Sequence, residues 1–474
     1  MNKSFFSIVL ILLILSALAA TADTTTTQKD QKSISVTIYN SNLALVKDQR
    51  ILTLEKGVQV LDFREVSARI MPETALLAGD HISILEQNFE FDLLTPEALL
   101  EKYVGREVIV VQTHPTTGEE TQLKAKVLSA QNGVVLQIGD HIEAGIPGRL
   151  IFPDVPENLR DRPTLTMLAQ SDSKKEQEIE LSYLTSGLGW KADYVAELNA
   201  DDTALNISGW VTLTNQSGAS YTNADLQLVA GDVNRAAPER GNPHMLEMDF
   251  AMAKATPAPT MSEEQMFEYH LYSLERPTTI KDNQQKQVAL MQAGKVPCRK
   301  EFLLNGSNYY YSRQTGDLGR KIKVGVFVEV KNSEKNNLGM PLPKGIVRVY
   351  KKDSHDRLQF VGEDRIDHTP RNETIRLKLG DAFDVTANRT QTDFRKISGN
   401  SHKDYVFESS YSIVLKNGKD EAVTVKVVEP IPGDWEMKKE SRKHTKAASD
   451  SAVWEVPVPA LGSTELTYTV RMRY

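Results

Sequence analysis

Apolar and polar residues alternate with a period of two along most of this chain. Ile34, Val36 and Ile38 set the pattern, Trp190, Ala192, Tyr194, Ala196 and Leu198 carry it through one long run, and Leu205, Ile207, Gly209, Val211 and Leu213 through the next. Neighbouring side chains on an extended backbone point to opposite faces, so each run can turn one face to a core and the other to water. The pattern returns in Ile322, Val324, Val326, Val328 and Val330, in Tyr411, Ile413 and Leu415, in Val423, Val425 and Val427, and from Leu466 to Tyr474. A length of 474 residues with 40% hydrophobic and 25% charged residues allows about three domains with sizeable cores. The fold class is therefore all-β, as multidomain β-sandwiches.

Punctuation divides the chain further. Residues 24 to 32 are Thr-rich and polar, and residues 23–33 read as a disordered tether before an N-terminal β domain at 34–94. Within it, Glu55-Lys56-Gly57 separates Leu52–Leu54 from Leu61–Phe63 and predicts a hairpin. Thr95-Pro96 then opens one short helix, with Thr95 as N-cap and proline where its missing N–H is no loss. Several short strands follow, two of them around Asn132-Gly133, so 95–160 reads as that helix plus a small SH3-like barrel insert. A central β domain spans 161–400, with Val324 to Val330 expected to pair with neighbours such as Val347 and Val349. It carries a long Ala/Met/Pro-rich surface loop at 235–262. Residues 401–474, with turns at Asn417-Gly418, read as a C-terminal immunoglobulin-like region. The basic residues Lys438, Lys439, Arg442 and Lys443 lie among acids and read as a solvated loop.

The first 22 residues differ from all that follows. Lys3, the apolar run from Phe5 to Leu15 and the small residues ending Ala20-Thr21-Ala22 describe a secretory signal peptide, cut after Ala22 or, failing that, Ala19. The expected address is the periplasm, with the exterior as the alternative. No later stretch approaches the length of a membrane span, so no transmembrane segment is expected in the mature chain. The single cysteine, Cys298, excludes an intramolecular disulfide and reads as a small buried hydrophobe rather than a nucleophile. A formal charge of −7 argues against a nucleic-acid surface.

Several segments resemble the bacterial family labelled domain of unknown function 4139: Ile38-Tyr39-Asn40 with Asn42 to Val46, Ile84 to Leu93, Gly189-Trp190-Lys191-Ala192-Asp193-Tyr194, Ala230 to Arg235, and Phe267-Glu268-Tyr269-His270. The resemblance covers most of the chain from Ile34 onward. More distantly, Trp190 to Tyr194 and Arg276 to Ile280 are similar to mucoidy-inhibitor type proteins, without their coiled-coil insertion. The family likeness implies a secreted or envelope protein of β domains and supplies no catalytic residues. It also favours a strand from Phe267 through Tyr272 over a helix, a turn near Asp282-Asn283, and a return strand around Val288 to Leu290.

No HExxH, phosphate-binding glycine loop, G-x-S-x-G or paired CxxC occurs, and the nine histidines include no His-x-x-x-His spacing. The chain is read as a non-enzymatic binding or scaffolding protein that needs no cofactor, with an envelope protein or polysaccharide as partner. A hydrolase of envelope glycans or peptides is the alternative, although adjacent acids such as Asp201-Asp202 are usually solvated turn residues. Candidate binding residues are Trp190, Tyr194, Asp232, Arg235 and Tyr310. Rings can stack on sugars, but alternation places Trp190 and Tyr194 on an inner face, and a corner is the plainer reading of Gly231 to Arg235. At least one ring of Tyr309-Tyr310-Tyr311 should be exposed. A third reading is copper handling, since thioethers suit Cu(I) and Met245, Met248 and Met252 fall in one loop beside His244.

Overall fold

The computed structural model describes residues 23–40, 42–90, 94–131, 133–156, 159–231, 233–234, 261–398 and 405–473. They form an all-β molecule of several sheets with one α-helix.

Two sheets built mostly from the first half of the chain face each other. In one, Gln31–Tyr39 pairs antiparallel with Leu43–Thr53, which pairs with Glu176–Thr185, while Tyr221–Ala230 adds in parallel. In the other, Gly57–Arg64 lies between Asp23–Thr26 and Thr164–Ser171. The inward faces, among them Val36, Ile38, Leu61, Phe63, Leu165 and Leu181, are buried in one core. Gly57 takes the positive φ of 115° expected of it, yet the strands it joins belong to different sheets, so it makes an arch instead of a hairpin. Arg50 explains how that arch tolerates a buried charge. Its guanidinium donates to Asp48 at 2.8 Å and to the Arg64 carbonyl at 2.9 Å, and lies over the Phe63 ring.

Residues 23–33 are not a disordered tether. Asp23–Thr26 pairs in parallel with Gly57–Arg64, and Thr27 caps the short 3-10 turn Gln28–Asp30. Threonine's β-branch suits a strand, and an unpaired sheet edge supplies the backbone partners that a polar composition conceals. The expected 34–94 domain is likewise not separate, because its strands share sheets and core with residues after 161.

The insert does stand apart. Thr95 accepts from the Ala98 N–H at 3.1 Å and opens the helix Pro96–Lys102. A five-stranded antiparallel sheet follows, in the order His141–Ala144, Val135–Ile138, Glu120–Ser129, Glu107–Thr113, Arg149–Ile151. Leu100, Tyr103, Val108, Val110, Val127 and Leu136 form its own small core.

Seven strands from Leu188 onward, labelled in chain order, curl into a ring: β1 (Leu188–Leu198), β2 (Ala204–Asn215), β3 (Gln284–Asn305), β4 (Asp317–Lys331), β5 (Gly345–Lys352), β6 (Leu358–Ile366) and β7 (Thr374–Ser398). Their order is β6-β5-β1-β2-β3-β4-β7. β7 returns against β6, where the Lys378 N–H donates to Asp364 at 2.7 Å and a Cβ on Gly362 would sit 2.4 Å from the Leu379 carbonyl oxygen. Val347 and Val349 therefore do not pair with β4. They lie on β5, between β1 and β6, while β4 pairs with β3 and β7.

β3, β4 and β7 outrun the ring and enter a C-terminal sandwich. The end of β3 pairs with Val423–Pro430, which pairs with Ser451–Val458; the end of β7 pairs with Val406–Asn417, which pairs with Ser463–Arg473. Phe302, Val385, Ile413, Val425, Trp454 and Leu466 bury between the two sheets. A boundary at 401 is thus too late, since the sandwich takes strands from all three ring members. Asn417-Gly418 crosses between its sheets and closes no hairpin. Lys438 and Lys439 lie on the strand Asp434–Glu440, with only Arg442 and Lys443 in the following turn.

Candidate functional site

The turn between β1 and β2 fixes an acid at one mouth of the ring. Asn199 accepts from the Thr203 and Ala204 N–H groups at 2.8 and 3.1 Å, closing the turn on its own side chain. Asp202 adopts φ 58°, a left-handed conformation that aspartate tolerates better than most residues. Its two carboxylate oxygens accept from Lys300 Nζ at 2.8 Å and Lys351 Nζ at 2.5 Å. Lys300 has the parity of Cys298 and Phe302 on β3, and Lys351 that of Val347 and Val349 on β5, so Lys300 interrupts a run of inward-facing residues and Lys351 ends one. Between them opens a cleft of about 250 Å³, walled by Leu198, Val326, Val328, Val361 and Leu379 and lined also by Gly380 and Asp381. Six of the seven ring strands and the β1–β2 turn contribute a side chain.

The charges in this mouth are fixed. Burial works to raise the Asp202 pKa, but hydrogen bonds and attraction from Lys300 and Lys351 outweigh it, and the carboxyl is held below its ordinary value. Cys298, partly buried, places its Sγ 3.7 Å from the Asp202 carbonyl oxygen. Burial first, then the Asp202 charge, pushes its thiol up to about 11, so almost no thiolate forms near neutrality. On the opposite face of β3, Glu301 is only 7% exposed and pairs with Arg376 and Lys426. This second knot ties β3 to β7 and to the sandwich.

The residues singled out from sequence lie elsewhere. Trp190 and Tyr194 are buried in the larger core, and the Tyr194 hydroxyl donates to the Pro343 carbonyl at 2.8 Å. The tyrosine triplet forms the 3-10 turn Asn308–Tyr311, in which Tyr309 is 51% exposed while Tyr310 and Tyr311 are buried. Sugar stacking by Trp190, Tyr194 or Tyr310 has no open ring face to use. Asp232, Arg235, Met245, Met248 and Met252 lie outside the described residues, as does most of the 235–262 loop. Of its flanks, Met261 is buried and Ser262 begins the strand Ser262–Met266. That strand pairs with Tyr269–Ser273 around a turn at Phe267, φ 58°, so the expected strand from Phe267 to Tyr272 is the second arm of a hairpin. The turn at Asp282-Asn283 is present and Val288 to Leu290 lie on a strand, here β3, but it pairs with β2 and β4 and does not return against Tyr269–Ser273.

Tyr310 and Tyr311 instead surround a charge pair at the centre of the sandwich. Arg389 and Glu429 are both 0% exposed, 2.5 Å apart. The guanidinium also donates to the Tyr310 hydroxyl at 3.1 Å, and the other carboxylate oxygen accepts from the Tyr311 hydroxyl at 2.8 Å. A side chain at Gly306 would strike Glu429, so the backbone packs directly on this carboxylate. Among the described residues, no three histidine, cysteine or acidic side chains gather as a metal-holding group.

The family model described as Domain of unknown function (DUF4139) matches residues 179–474, well over half of the sequence. The chain belongs to the DUF4139 family. No curated protein matches it. The DUF4139 region contains the entire ring and the sandwich, and hence every residue of the mouth cleft, whereas the helix-bearing insert lies before it. The lysines of the cleft escaped the sequence reading, which treated Asp201-Asp202 as a solvated pair. The available signal was a lysine in register with an apolar face, at the end of β5 and within β3.

Proposed function

We propose that this DUF4139 protein is an exported, non-enzymatic binding or scaffolding protein of the bacterial cell envelope. The observation that carries the binding half is the state of the mouth cleft. Asp202 is held as carboxylate and the adjoining Cys298 as thiol, so these groups offer fixed charge and shape and do not exchange protons near neutral pH. Apolar walls with a few convergent charges are what a ligand site in a β-ring mouth requires. Export rests on the signal-like pattern of residues 1–22.

The test is to express the full chain in a bacterium with an intact envelope, fractionate the cells, and determine the N-terminus of the recovered protein. A chain in the envelope or periplasmic fraction beginning at Asp23, and cross-linking there to an envelope protein or polysaccharide, is the expected result. A chain retaining Met1 in the cytosol overturns the export reading. Turnover of envelope glycan or peptide by the purified protein, lost on replacing Asp202, would instead favour the hydrolase.

A further inference from the structure

We infer that the mouth cleft binds a small amphiphilic anion, its oxyanion head bridging Lys300 and Lys351 and its unbranched alkyl body lying along Val326, Val328, Val361 and Leu379. This deepens the binding reading above and rests on it. Three observations carry it. The first is charge. Each ammonium has three N–H donors, and among the described residues Asp202 is the one acid that pairs with either, so two positive charges meet one negative charge at that end. Both nitrogens reach one carboxylate from different sides, and so stand close enough for a second oxyanion to span them from the open side. The second is polarity along the cleft. Asp381 lines the cleft too, but Lys378 stands 3.7 Å from it and balances its charge, so the surplus positive charge of the cleft lies with Lys300 and Lys351. The third is the wall. Five aliphatic side chains line a volume of about 250 Å³, enough for a short chain and too little for a folded partner. Val361 is 38% exposed although it borders this cavity, so an alkyl chain laid on it removes apolar surface from water.

The anion also has a built-in competitor. Asp202 already occupies the lysines, so a ligand's head shares them with it and affinity is set against that carboxylate. The competition separates a ligand site from a structural ion triad. Replacing Asp202 by asparagine should tighten anion binding if the lysines serve a ligand, whereas a triad that only joins β1, β3 and β5 has no ligand affinity to change.

Isothermal titration of the full mature chain with sodium octanoate and, separately, octyl phosphate tests the inference and distinguishes a carboxylate from a phosphate source. Either ligand should bind at one site, at least tenfold more tightly than acetate, inorganic phosphate or octanol, which carry the head or the body alone. Joint Lys300→Met and Lys351→Met replacement should cost at least tenfold, joint Lys→Arg replacement should largely preserve binding, and Asp202→Asn should improve it several-fold. Val361→Asp, at a partly exposed position that the fold can spare, should weaken both ligands without lowering the melting temperature. Failure of both ligands to exceed their head-only controls overturns the inference, as does unchanged binding in a folded double-methionine variant. Envelope localisation and cross-linking are read independently, so a silent cleft with a captured partner removes this ligand and leaves the binding reading standing.

Discussion

At the scale of single residues, the charges that matter are those held at strand ends and crossings. Asp202 and Glu301 lie on opposite sides of β3, and both are held below the ordinary carboxylate range. At each, burial opposes ionisation, and lysine or arginine partners outweigh it. A carboxyl whose folded pKa is depressed contributes stability above its unfolded pKa and loses it as pH falls toward the folded value. The melting temperature should therefore decline as pH drops below about 4, and Glu301→Gln should flatten that decline while lowering the melting temperature at pH 7; circular dichroism melts across the acid range read both. Cys298 gives a second expectation. With its thiol pushed up to about 11, alkylation by iodoacetamide at pH 7.5 should be slow in the native chain and fast after denaturation, by mass spectrometry. Alternation made Trp190 and Tyr194 legible as core residues. It also carried the information for Lys351, in step with Val347 and Val349, but a terminal lysine is ordinarily solvated, and only its neighbours across the ring show otherwise. Asp202 was visible as a turn acid; the two ammonium groups that hold it come from residues about 100 and 150 positions away.

At the scale of elements, strands were legible and their partners were not. Period two determines which face is buried and says nothing about which edge is paired, so Gly57 looked like a hairpin turn, and Asn417-Gly418 like an ordinary turn, where the chain crosses between sheets. The same gap hid the closure of the ring, which depends on a backbone approach. Gly362 has φ 152°, and a side chain there would press on the Leu379 carbonyl. Gly362→Val should destabilise the fold by about 1–3 kcal/mol, the ordinary range for forcing carbon into packed space. Because β6 and β7 carry Val361 and Leu379, it should also disturb the cleft. Urea denaturation measures the first effect, and octanoate titration of the folded fraction the second. A variant as stable as the parent would mean that β7 does not rest on β6 at this point.

At the scale of the molecule, the chain comprises two large cores joined by continuous strands and one small core that is merely attached. The expected boundaries between 34–94, 161–400 and 401–474 fail wherever a strand serves two bodies. β3 spans 22 residues and passes from the ring to the sandwich, so no cut near 401 can release a complete C-terminal unit. Residues 401–474 expressed alone should give no cooperative thermal transition, because Phe302, Val324 and Val385 of their core are missing. The insert has the opposite property, and both its helix signal and its short strands could be read from sequence. Its apolar residues pack in a core of their own, and its two ends already meet, the Leu94 N–H donating to the Arg160 carbonyl at 2.8 Å. A loop whose ends are held together by the remaining structure can be shortened at little conformational cost. Replacing residues 95–159 by a short glycine-serine bridge should therefore leave the melting of the remainder within a few degrees of the parent. It should also leave octanoate binding unchanged, since the DUF4139 region supplies every wall of the cleft. Loss of the remaining cooperative transition would show that the insert's helix or sheet supports the larger core.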